Sequence, residues 1–126
     1  MRWIVDGMNV IGSRPDGWWK DRGRAMVTLV DKLDQWASGR GETVTVVFER
    51  PPSAAITSTV VEIAHAPRAA ANSADDEIVR LVQADDCPHD IRVVTSDRVL
   101  NDRVRTLGAS VYPAERFRDL VDPRGQ

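Results

Sequence analysis

Two hydrophobic periods alternate along the chain. Trp3-Ile4-Val5, Thr43-Val44-Thr45-Val46-Val47-Phe48 and Ile91-Arg92-Val93-Val94-Thr95 are β-branched runs too short for helices, and each reads as a strand. Thr59 to Ala64 is a weaker strand, and Ala109 to Tyr112 a short last one. Between these runs the apolar residues fall three and four apart. A glycine-containing loop after the first strand leads to a stripe of Met26, Leu29, Val30, Leu33, Trp36 and Ala37, which Gly39 and Gly41 end. Ala74, Ile78, Leu81 and Val82 form a second stripe. Asn72 or Ser73 can cap that helix, and Asp75, Asp76 and Glu77 in its first turn suit the helix dipole. Leu100, Val104 and Leu107 mark a third helix, stopped at Gly108. Parallel strands need crossover connections, which are normally helical, so this order predicts an α/β fold. The expected form is a three-layer α/β/α sandwich with a mainly parallel central sheet.

At 126 residues and 14.0 kDa, residues 1–126 are expected to form one domain, with a frayed tail from Asp122 to Gln126. The chain is 42% hydrophobic and 29% charged, as in ordinary soluble domains. Its net charge of −2 and pI of about 5.6 exclude a protein that works as a polycation on nucleic acid, so any nucleic acid must meet a local patch. With Cys87 as the single cysteine, neither an intramolecular disulfide nor a cysteine-based zinc site can form, which fits a reducing compartment. Asp6 interrupts any signal-peptide core, and the longest uncharged run, Pro51 to Val61, is too short to span a bilayer. The expectation is a cytoplasmic protein with no membrane partner.

Ligands of open parallel sheets bind beyond the carboxyl ends of the strands, where the strand order reverses. Asp6 follows the first strand, Glu49 the second and Asp97 the strand at 91–95, while Asp75 and Asp76 open a helix expected to leave the same edge. Such acids repel one another, at about 1.4 kcal/mol per unit of raised pKa, and a divalent cation removes that cost. Oxygen ligands suit Mg²⁺ or Mn²⁺, which share their coordination with phosphates, and phosphodiester hydrolysis is the natural reaction. Asn9 adds an amide within reach of water or phosphate, and Gly7 lets the backbone come close. Aspartates at these places also serve as turn residues and helix caps. Arg14, Trp18, Trp19, Lys20, Arg22 and Arg24 interleave cations with stacking rings in one loop, the best candidate for holding single-stranded RNA. At least one of the two tryptophans is expected to close the core. Arg98 can meet a phosphate or a neighbouring acid. His65 and His89 are the only histidines, and neither is placed convincingly for metal-free acid–base cleavage. No basic group clearly activates Cys87.

Val5-Asp6-Gly7-Met8-Asn9-Val10-Ile11-Gly12, Val46-Val47-Phe48-Glu49, Asn72-Ser73-Ala74-Asp75-Asp76-Glu77-Ile78 and Val94-Thr95-Ser96-Asp97-Arg98, in this order and spacing, resemble the YacP-like NYN domains of the PIN-like ribonucleases. Gly108 to Tyr112 followed by Phe117 is similar to that family's closing strand and aromatic. The resemblance covers nearly the whole chain. It implies a metal-dependent endoribonuclease leaving 5′-phosphate and 3′-hydroxyl ends, with Asp6, Asp75 and Asp97 on the metal and Asn9 as their polar neighbour. The chain departs from the pattern at Glu49, where the family commonly has Asp; its longer arm suggests an indirect role. Asp76 and Asp102 compete for a fourth carboxylate position, with Asp76 favoured. The expected partner is single-stranded or unpaired RNA, free or ribosome-associated. Two other readings stand beside this one. A non-catalytic RNA- or ribosome-binding module would keep the same acids. A phosphatase of the haloacid-dehalogenase type fits poorly, because Met8 stands where its second acid is needed.

Overall fold

A computed structural model of the chain describes residues 1–50, 56–58, 60–66 and 73–123. Five strands, β1 (Arg2–Asp6), β2 (Thr43–Phe48), β3 (Val61–His65), β4 (Ile91–Val94) and β5 (Ser110–Tyr112), form one sheet in the order β3-β2-β1-β4-β5. Every pairing is parallel, with Ile4 beside Thr45 on one side and Val93 on the other. The chain moves outward from β1 to β3, then returns to the opposite side of β1 as β4. The order therefore reverses between β1 and β4, which makes their carboxyl ends the expected ligand edge.

The five α-helices are α1 (Gly7–Ile11), α2 (Arg22–Ala37), α3 (Ser73–Ala84), α4 (Arg98–Thr106) and α5 (Ala114–Val121). Single 3₁₀ turns lie at Trp18–Lys20 and Pro88–Asp90. The two-residue period of the strands divides the core between two faces. Trp3, Val5, Val44, Val46 and Phe48 pack with α1, α2 and α5, whereas Ile4, Val47 and Val93 pack with α3 and α4. On the first face Trp3, Trp36, Tyr112 and Phe117 form a ring cluster with centroids 5.2–6.2 Å apart, mostly edge to face.

Most sequence-derived elements are present, with ends shifted by a residue or two. The weak strand begins at Val61 and runs on to His65; the Thr59 start and the Asn72 cap lie outside the described residues. One helix replaces expected loop, and another occupies a stretch to which the sequence assigned no element. α1 begins directly on Asp6 and α5 follows Pro113. The described part of the tail is also tied down, because the Asp122 carboxylate meets Arg14, Lys32 and Arg118. Gly7 is where α1 turns onto the sheet. A Cβ there would lie 2.5 Å from Phe48 Cε1, so only glycine fits without displacement. Gly108, at φ 102°, ends α4 in a conformation that side chains disfavour. No helix among the described residues is long and apolar enough to cross a membrane.

Candidate active site

Asp6 is the last residue of the central strand and continues the side-chain alternation of Ile4, which aims it toward the α3/α4 layer. Thr95, the residue after β4, follows Val93 by two and continues the same face. Its hydroxyl donates to Asp6 Oδ2 at 3.0 Å and accepts from the Asp97 N–H at 3.2 Å, bridging the point where the strand order reverses. Asp97 caps α4, its Oδ1 accepting from the Leu100 N–H at 3.0 Å. It therefore fills the ordinary role of a helix-starting aspartate while standing at the ligand edge. Asn9, on α1, accepts at Oδ1 from the Ser96 N–H at 2.9 Å. α1 and the β4–α4 turn are thus fastened together across the sheet edge.

The electrostatics identify which acids face one another. Asp6 is only 6% exposed, and its pKa is pushed up to about 7. Burial is the main cause, the Thr95 hydrogen bond opposes it, and the charges of Asp75, Asp97 and Glu49 add to the rise. Asp75, in the first turn of α3, is also raised, by burial and by Asp97, with smaller contributions from Asp76 and Glu49 and partial relief from Arg103. Four carboxylates from the ends of β1 and β2, the start of α3 and the start of α4 therefore act on one another.

Asp76 and Asp102 stand apart from Asp6. Asp76 has a 75% exposed side chain ion-paired to Arg103 at 3.0 Å, and Asp102 is exposed on α4. Glu49 is among the charges that raise the pKa of Asp6, and both Asp76 and Glu49 act on Asp75, so Glu49 joins the acids at this edge. Glu49 thereby stands beside Asp76, the acid favoured from the sequence, as a candidate for the fourth carboxylate. Two residues after Val47, Glu49 shares the β2 alternation that faces α3, while Asp76 is turned by the helix toward Arg103.

The basic loop divides. Arg14 is 7% exposed, and its guanidinium binds Asp119 Oδ1 at 2.8 Å, Asp122 Oδ2 at 3.2 Å and the Asp122 carbonyl at 2.6 Å. Arg14 fastens the loop to the end of α5, and its expected contact with RNA is withdrawn. Trp18 packs against the core with the Arg22 guanidinium 5.4 Å from its ring centroid. Trp19 meets Trp18 edge to face and remains 50% exposed. One tryptophan thus closes the core and the other faces solvent. Lys20, Arg22 and Arg24 are exposed, as is Arg98 immediately after Asp97.

Other groups fall outside the acid cluster. His65 ends β3, an edge strand, with Nδ1 2.9 Å from the Ala66 carbonyl oxygen. His89 precedes β4, at the opposite end of the sheet, and packs by Gly108. Cys87 is exposed beside it in sequence. Glu115 was not singled out from the sequence. It accepts from the Ser96 hydroxyl at 2.6 Å, while that hydroxyl accepts from the Ala114 N–H at 2.9 Å, and this bonding keeps the Glu115 pKa low. Its signal was an acid in the first turn of a helix begun by Pro113, visible only once α5 is recognised.

A metal can be tested against the donors present. The acids are oxygen donors only, two of them have pKa values raised by burial and by neighbouring acidic charge, and no described cation lies within ion-pair distance of Asp6, Asp75, Asp97 or Glu49. That chemistry fits a hydrated Mg²⁺ or Mn²⁺. Among the described residues no three such side chains converge closely enough to enclose an ion directly, which restricts the fit to a site completed by water or substrate oxygens.

Comparison with known proteins places the fold. The YacP-like NYN domain family model matches residues 3–125. The crystal structure of a tryptophan-to-leucine mutant of Rae1 (YacP) from Bacillus subtilis is 28% identical, superimposes with a TM-score of 0.77, and covers 98% of this chain and 77% of that one. A second crystal structure of Rae1 (YacP) from Bacillus subtilis gives 27% identity and a TM-score of 0.78, covering 98% and 76% of the two chains. No curated protein sequence matches the chain.

Proposed function

Because the chain belongs to the YacP-like NYN domain family, which is nuclease-like, we propose that it is a metal-dependent endoribonuclease that hydrolyses single-stranded or unpaired RNA. The supporting observation is the electrostatic conflict at the sheet edge: burial and the neighbouring charges of Asp97 and Glu49 raise the pKa values of Asp6 and Asp75, and the four acids arrive from four segments. Structural acids are ordinarily paired with cations, and among the described residues none of these four has a cation within ion-pair distance.

Asp6, Asp75 and Asp97 would hold Mg²⁺ or Mn²⁺, and Glu49, whose charge acts on Asp6 and Asp75, would orient water beside them. A cation bound there would supply positive charge against a phosphodiester oxygen and lower the pKa of the attacking water. The chain's own groups fix the geometry. Thr95 holds the Asp6 carboxylate, the Ser96 N–H holds Asn9 by its carbonyl oxygen, and the Asn9 amide nitrogen is the group that can donate to a phosphate oxygen. Arg98 stands at the same edge, where it can attract the RNA backbone. Glu115 acts further out, fixing Ser96 and through it Asn9.

The test is cleavage of an end-labelled, unstructured RNA in Mn²⁺ by the wild type and by Asp97→Asn, with the product ends identified. Asparagine keeps the cap on α4, so the variant should fold and bind RNA. Loss of at least a hundredfold in rate, with 5′-phosphate products from the wild type, supports the proposal; equal cutting by both proteins refutes it. That no three such side chains among the described residues converge on an ion favours one competing reading, an RNA-binding module that does not cut. That reading requires RNA binding by both proteins and cleavage by neither, across RNAs of varied sequence and fold.

A further inference from the structure

On the opposite face of the sheet from the acids, α2, α5 and the loop after α1 enclose a cleft of about 300 Å³. We propose that this cleft seats one nucleotide unit of the RNA strand, outside the cutting site; the assignment of RNA rests on the function proposed above. The floor is apolar, formed by Ile11, Leu29 and the edge of Trp18, and is large enough to take a planar base. Its walls carry both signs of charge, but the acids are committed. Asp16 pairs with Arg118 at 3.0 Å, Asp122 is shared by Arg14, Arg118 and Lys32, and Asp21 caps α2 by accepting from the Arg24 N–H.

The Arg24 guanidinium, also at the cleft, has no ion-pair partner among the described residues. An apolar floor beside an uncommitted arginine matches a base with its phosphate. The five-residue α1 starts at the residue after Asp6 and ends at Ile11 in the cleft lining, so it connects the acid edge to the cleft along the chain. Trp18, in the cleft lining, is met edge to face by the exposed Trp19 and has the Arg22 guanidinium 5.4 Å from its ring centroid.

The test uses the full chain in EDTA, so that nothing depends on catalysis. Adenosine 5′-monophosphate and a six-nucleotide oligouridylate are titrated separately while backbone amides and tryptophan indoles are followed by NMR. The expected result is saturable shifts at the Trp18 indole and at residues 24–29 with both probes, unchanged in Asp6→Asn/Asp97→Asn. Arg24→Gln should weaken both at least tenfold, and Thr28→Phe, which fills the cleft from the exposed side of α2, should do the same. Wild-type affinity in both cleft variants overturns the proposal, as do shifts confined to Asp6, Asn9 and Ser96. Binding of the mononucleotide without the oligonucleotide also overturns it, assigning the cleft to free nucleotides. A protein that fails to cut RNA yet shows the expected shifts would refute the nuclease reading and leave this site standing.

Discussion

Asp6→Asn should make the metal-free protein more stable at alkaline pH, although it removes a residue central to the proposed chemistry. The folded-state pKa of Asp6 is raised from 3.8 to about 7, so the folded protein holds this proton more tightly than the unfolded chain does. Stability from this group is therefore fully present below about pH 4, declines as pH rises, and is lost above about pH 7. A shift of that size corresponds to a ceiling of about 4 kcal/mol, and relaxation or entry of water around the carboxylate reduces it. Asparagine retains an oxygen for the Thr95 hydroxyl and carries no charge. Half the ceiling, about 2 kcal/mol, would raise the Tm by about 8 °C in a domain of this size. The assay is thermal unfolding of both proteins from pH 4.5 to 8.5 in EDTA. The variant should unfold within a few degrees of the wild type at pH 4.5 and clearly above it at pH 8.5. A variant less stable than the wild type at pH 8.5 would show that the Asp6 charge is already compensated, and would refute the electrostatic argument for the site.

Three other substitutions probe the same framework. Thr95→Val removes the one hydrogen bond that lowers the Asp6 pKa, so the Asp6 carboxyl, followed by carbon-detected NMR, should titrate above 7; an unchanged midpoint would show that the bond has no role there. Gly7→Ala drives a methyl into Phe48 and should cost about 1–3 kcal/mol in urea unfolding, whereas a neutral effect would mean that α1 can move freely off the sheet. Arg118→Met strips donors from the Val10 and Ile11 carbonyls at 3.2 Å and from Asp16. It should cost about 2–4 kcal/mol and speed amide exchange in α1, and exchange changed only in α5 would contradict the link between the two helices.

The parts of the fold legible in the sequence are those where one local period dominates. Thr43 to Phe48 can only be a buried strand, and the stripe from Met26 to Ala37 can only be a helix with one covered face. α1 and α5 were not legible for different reasons. α1 is five residues long, too short for a period, and its existence depends on Gly7 lying against Phe48, a residue far along the chain. α5 buries a charged side chain, Arg118, beside Phe117 and Val121, so the apolar stripe is broken where the packing is closest. Arg14 was misread for the same physical reason. A basic residue among tryptophans suggests a solvent surface, and the acids that bury it, Asp119 and Asp122, lie more than a hundred positions away. The acidic edge was legible because strand ends and a helix start are local features. Weighing Glu49 against Asp76 required the direction in which α3 turns Asp76, toward Arg103.

The central claim is that the acid edge takes a divalent cation, and calorimetric titration of Mn²⁺ into the metal-free protein tests it without any RNA. The account predicts saturable binding to the wild type, with proton release below about pH 7 as Asp6 ionises, and no binding to Asp6→Asn/Asp97→Asn, with circular dichroism showing both proteins folded. Equal binding by the two proteins would place the cation elsewhere. Absence of binding to the wild type, both alone and with a non-cleavable RNA analogue, would contradict the claim outright.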